Sequence, residues 1–218
     1  MHTLITSDRT WTERASATGL VAGAMARVSS LPFWGASALV YGGFAAVFFG
    51  SGAGFAIPQV QQVCGQAPPD MRFTSTAAAV HDFLDGCGPA GREAYRALQI
   101  ADLFYPLVFA VFLASSLALA LRLAVPSRPS LVTLAAVPFL PSAFDYSENA
   151  CAWLALAAWP HPGVADGLLG LFSATKTATS WAAVTLVLLA LGALAVTRCR
   201  ALVAAHRDQD GLRPDGLR

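Results

Sequence analysis

Asp102, Asp145, Glu148 and Lys176 stand in stretches that are otherwise apolar, and each is accompanied by further polar residues at helical spacing. Gln99, Asp102 and Tyr105 form one set, Ser142, Asp145, Glu148 and Asn149 a second, and Ser173, Lys176, Thr177 and Ser180 a third. Intervals of three, four or seven residues put each set on one face of a helix. Three such stripes must face something other than lipid. Asp145 and Glu148 lie about one turn apart, so in a low-dielectric site they can share a proton and supply an acid and a base together. Lys176 is the chain's single lysine and the sole basic partner for three carboxyl groups at that depth. The pattern therefore predicts catalytic roles for Asp145, Glu148 and Lys176, with Asp102, Tyr105, Asn149, Thr177 and Ser180 holding a ligand.

The cost of such residues argues for a purpose. A charged group at the centre of a membrane helix costs about 2.5–3.5 kcal/mol, so four of them, uncompensated, would consume the stability of a typical domain. They must be paired, hydrated or partly neutral, and at least one carboxyl is expected to hold a proton. Three uses satisfy that requirement. A cavity open to the outside would support proton-transfer chemistry on, or binding of, a lipid-soluble small molecule. A transporter would use the same carboxyls to carry protons or cations. A structural or assembly protein would use the charges to lock its helices together. No cofactor is implied.

The elements that must position these groups follow from composition. Of 218 residues, 56% are hydrophobic and only 12% charged, too few charges for the surface of an ordinary soluble enzyme. A formal charge of +1 gives no basic face for nucleic acid, and four cysteines without metal-type spacing give no structural zinc site. Stretches 33–57, 100–123, 131–159 and 168–196 are each long and apolar enough to cross about 30 Å of hydrocarbon. The expected fold is all-α, a polytopic membrane protein built as a four-transmembrane-helix bundle, spanning 33–197. The third stretch can kink at Pro138 or Pro141. Arg9, Arg14 and Arg27 precede the first span, Arg122 and Arg128 sit between the second and third, and Arg198 and Arg200 follow the fourth. By the positive-inside tendency both termini are cytoplasmic, in a multi-pass cell-membrane topology with loops 58–99 and 160–167 outside. Residues 1–32 then form a cytoplasmic N-terminal segment, with no cleaved leader expected, and 198–218 a disordered tail.

Cys64 and Cys87 both fall in the long outer loop, where an oxidising compartment lets them pair into a structural disulfide. Between them, 73–84 reads as a short amphipathic helix with Phe73, Ala77, Val80 and Leu84 on one face and Thr74 or Ser75 as its cap. Small residues at i, i+4 spacing mark helix contacts: Ala38, Gly42, Ala46, Gly50 and Gly54 in the first span, Ala110, Ala114 and Ala118 in the second. Both rows read as seams of the bundle, and a homodimer through the first is the alternative use. Trp34, Trp153 and Trp159 read as interfacial anchors. His81 and His161 lie near Asp82 and Asp166, but no helical spacing supports a metal site.

Counting from the bends at 1.5 Å per residue places Glu148 and Lys176 within roughly 3 Å of one level, Asp145 about a turn deeper and Asp102 roughly 6 Å nearer the outer surface. At these residues the chain resembles a group of small, uncharacterised four-span integral membrane proteins that carry D-x-x-[FY]-P in the second span, D-x-x-E-N in the third and a lysine in the fourth. Here the motifs read Asp102-Leu-Phe-Tyr105-Pro106, Asp145-Tyr-Ser-Glu148-Asn149 and Lys176. The resemblance covers spans two to four and implies an architecture, with no activity attached.

Overall fold

The structure, a computed structural model, describes Ala24 and residues 27–211. Every regular element among the described residues is helical. From Leu31 on, the α-helices of the described residues run in order: α1 Leu31–Gly50, α2 Ile57–Cys64, α3 Ala77–Gly86, α4 Gly88–Ala101, α5 Tyr105–Ala124, α6 Phe139–Ala158 and α7 Val164–Gly211, with 3-10 turns at Pro69–Met71 and Pro129–Ala136. Among the described residues three helical runs are long and apolar enough to cross a membrane: Leu31–Gly50, Gly88–Ala124 and Val164–Arg207. The helix in the third expected stretch, α6, has 20 residues but is not among them. Its polar stripe lowers its hydropathy, and the first part of the 131–159 stretch is wound into 3-10 turns instead.

Local chemistry sets the ends of these helices. The Ser30 hydroxyl accepts from the Phe33 amide at 3.4 Å to open α1. At the other end the Ser51 hydroxyl donates to the Val47 carbonyl at 2.6 Å, which ends the first helix well short of residue 57. The Thr76 hydroxyl accepts from Ala79 at 3.2 Å and opens α3. The amphipathic helix expected over 73–84 is thus shifted toward the C-terminus: Val80, Phe83 and Leu84 are buried, while Phe73 stands outside the helix and is 63% exposed.

Residues 57–101 do not lie loosely on the bundle. α2 packs on α4, and α3 packs on α7. Their apolar faces join α6 and α7 in one core that includes Ile57, Val60, Phe83, Leu98, Leu156 and Leu169. The Cys64–Cys87 disulfide ties α2 to the α3–α4 junction. A Cβ at Gly91 would meet Cys87 Cβ at 2.7 Å, so the close packing of α4 on the disulfide requires glycine there. The cap is also held directly to α7. Thr74 donates to the Gly170 carbonyl at 3.2 Å, and a Cβ on Gly170 would meet the Ser75 carbonyl oxygen at 1.9 Å.

Two packing expectations separate here. Ala110, Ala114 and Ala118 are buried and form the seam of α5. The glycine row of α1 is not a seam within the chain. Gly42 and Gly50 are exposed, and an added Cβ at Gly42, Gly50 or Gly54 would meet nothing within 4 Å. The face that α1 buries is aromatic and hydroxylated instead. Phe48 is 3% exposed, Tyr41 stacks on Phe112 at 4.8 Å, and the Ser37 and Ser115 hydroxyls meet at 2.8 Å. Trp34 and Trp159 serve as interhelical donors, to Ser116 at 3.0 Å and Asp85 at 2.6 Å.

The segment expected as a disordered tail is helical as far as Gly211. α7 has 48 residues, a rod of about 70 Å, and its Ala- and Leu-containing stretch 201–205 lets the helix propagate past Arg198 and Arg200. The expectation for the first 32 residues lies largely outside the described part of the chain.

Candidate functional site

The site is built on a break between α4 and α5. Pro106 opens α5 but has no amide hydrogen, so the carbonyl four residues back, that of Asp102, has no helical donor. The amides of Leu103 and Phe104 turn back in 3-10 fashion to Ile100 and Ala101. α6 supplies the missing donors from one face. Asn149 Nδ2 donates to the Asp102 carbonyl at 3.3 Å, Tyr146 to the Leu103 carbonyl at 3.0 Å and Ser142 to the Pro106 carbonyl at 2.8 Å. The two sequence motifs therefore interlock through the backbone. The carboxyl of Asp102 is left free to turn inward.

Lys176 on α7 sits among the acids. Its ammonium pairs with Glu148 and lies 3.4 Å from Asp145. It also donates to the backbone carbonyl of Asp70 at 3.3 Å. Glu148 is fully buried and receives the Ser173 hydroxyl as well. A buried ion pair of this kind holds only when both partners are present and further hydrogen bonds satisfy them, and here both conditions are met.

Beside this cluster lies a cavity of about 380 Å³. Asp102, Tyr105, Asp145, Lys176, Thr177 and Ser180 all reach its wall. Glu148 and Asn149 do not. Of the residues picked out by spacing, six are therefore brought to one cavity, while Glu148 anchors Lys176 from behind and Asn149 fixes the backbone of Asp102. Apart from Asp70 and Arg72, the rest of the wall is apolar, with Phe48, Phe49, Phe73, Phe109 and Trp181 as its aromatic part.

Spacing did not reveal Asp70. It lies in the 3-10 turn of the cap, only 6% exposed, and reaches the cavity wall beside Lys176. Gln99 donates to its carboxylate at 2.9 Å and Tyr95 at 3.1 Å. Burial pushes its carboxyl above the ordinary value of 3.8, against the pull of the Lys176 charge and of these hydrogen bonds. No group of three or more His, Cys, Asp or Glu among the described residues could hold a metal ion. His81 pairs with Asp85 at 3.5 Å, away from the cavity.

Chemically, the wall offers carboxyls, an ammonium, a phenol and two hydroxyls in a partly dehydrated space. That set can donate and accept protons, bind a cation or hydrogen-bond a polar head group. No family model, no curated protein and no solved structure matches the chain.

Proposed function

We propose that the chain is a four-span cell-membrane protein with both termini cytoplasmic, and that it binds a lipid-soluble small molecule in the acidic cavity. α6 is the fourth span: its 20 residues suffice for the crossing, and its polar side is turned to α5 and α7 rather than outward. The observation that carries the functional reading is the placement of Asp102, Asp145 and Lys176 on the wall of one cavity of about 380 Å³, a size suited to a small amphiphile. Asp145 and Lys176 are the groups placed to pass a proton to or from the bound molecule, with Asp102 and Tyr105 orienting it and Glu148 positioning Lys176.

A second reading draws on one observation, the complete burial of the Glu148 carboxylate against Lys176, which is also what a helix lock needs. The two readings part at Ser180. In a Ser180→Cys, Cys199→Ser protein reconstituted in lipid, N-ethylmaleimide is expected to alkylate the introduced thiol in the folded state. Protection of that thiol until the protein is unfolded would overturn the cavity reading in favour of the lock.

A further inference from the structure

We propose that the cavity takes a lipophilic ammonium, an amine or quaternary ammonium head on an apolar chain, and that this molecule enters sideways from the bilayer between α1 and α7. The proposal rests on the membrane-cavity reading above and names its ligand and its route.

Charge supports the ligand class. Lys176 pairs with Glu148 and Asp145 and touches Asp70 at its backbone carbonyl, so among the described residues the carboxyls of Asp102 and Asp70, both residues of the cavity wall, have no ion pair of their own. Arg72, at the rim, directs its guanidinium to the Gln66 side chain at 3.1 Å and the Ala67 carbonyl at 3.0 Å. An added positive charge is what the acidic wall lacks. The aromatic wall is the second support. Phe48 stacks on Tyr105 at 5.5 Å, Tyr105 stacks on Phe109 at 5.8 Å and Phe49 meets Tyr105 edge-on at 5.3 Å, all on the cavity wall next to Asp102. Rings combined with carboxylates in a dehydrated space are the chemistry that selects an organic ammonium over a hydrated metal cation.

The route follows from packing. α1 and α7 each pack on α5. Between them the cavity wall comes to the surface at Phe49, 41% exposed, and Trp181, 68% exposed. The α1 span is only 6% buried, so this gap faces whatever surrounds the helices, which in a membrane is lipid. Met71 and Phe73, from the segment between α2 and α3, line the same cavity.

The test uses the full chain in phosphatidylcholine nanodiscs, with empty nanodiscs as the blank. Radiolabelled dodecyltrimethylammonium, dodecan-1-ol and dodecyl sulfate share one chain and differ in head charge. The ammonium is expected to bind at least about tenfold tighter than the alcohol, with Asp102→Asn removing about that factor and dodecyl sulfate not competing. Brominated lipid should quench tryptophan emission in the native protein, and Trp181→Phe should remove part of that quenching. Binding of the alcohol as tightly as the ammonium overturns the ligand class and leaves the cavity reading standing. Equal quenching with and without Trp181 overturns the route. Failure of all three probes together with a protected Ser180→Cys thiol overturns the cavity itself.

Discussion

Replacing Asn149 by Leu removes the one donor that α6 offers to the Asp102 carbonyl. Asp102 is 6% exposed, so its carbonyl has little access to water, and the proline at 106 denies it a helical partner. An orphaned buried acceptor costs about 1–3 kcal/mol, and the 3.3 Å length of the existing bond places this one near the lower end, about 1 kcal/mol. Pro106→Ala restores an amide four residues after Asp102, where the helix aims it at that same carbonyl. A carbonyl has two lone pairs, so Pro106→Ala alone should be close to neutral. In the Pro106→Ala background Asn149→Leu should therefore cost about 1 kcal/mol less than in the native background. SDS-driven unfolding in mixed micelles, measured for all four proteins, closes the cycle. Equal cost of Asn149→Leu in both backgrounds, within about 0.5 kcal/mol, would refute the account of the break.

Lys176→Met should destabilise by about 3–5 kcal/mol because it strands buried carboxyls, and adding Glu148→Gln should return much of the loss; a double variant whose loss equals the sum of the two singles means that the pair is uncoupled. For Asp70 the folded carboxyl holds its proton above 3.8, so its contribution to stability is fully present below that value and is lost as pH rises through the folded one. Asp70→Asn cannot lose a proton, and the unpartnered Gln99 Oε1 can turn to accept from its amide, so the variant should gain on the native protein as pH rises above about 4 in thermal unfolding scans. A constant difference across that range would contradict the assignment. Gly170→Ala forces its methyl group into the Ser75 backbone and should cost about 1–3 kcal/mol while speeding proteolysis in the 72–76 stretch; unchanged cleavage there would show that the cap does not rest on α7 through this contact.

The helical character of the chain and most of its polar site were legible because both are periodic. Asp102, Asp145 and Lys176 stood out as charges at helical intervals in apolar sequence, on three stripes that must face something other than lipid. The difference between Asp145, on the cavity wall, and Glu148, behind it, is a rotation of about 60° around α6 between neighbours on one stripe, below what spacing resolves. Asn149 shows a second limit. Its partner is a backbone carbonyl freed by Pro106 on another helix, and the two halves of that bond lie in separate motifs whose complementarity appears only when α5 and α6 are laid side by side. Asp70 had no periodic signal at all. It follows Pro68 and Pro69 in a three-residue 3-10 turn between α2 and α3, too short for a periodic pattern, and it reaches the site because the disulfide, the Thr74 bond to Gly170 and the buried faces of α3 and α4 hold that turn against α7. The glycine row of α1 fails for the opposite reason. Small residues permit close approach without requiring it, and the neighbouring α1 face packs Tyr41, Phe44 and Phe48 against the rings of Tyr105 and Phe109 on α5 instead. What orders α1 is thus an aromatic cluster, and Phe48, Tyr105 and Phe109 of that cluster also line the cavity beside Asp102.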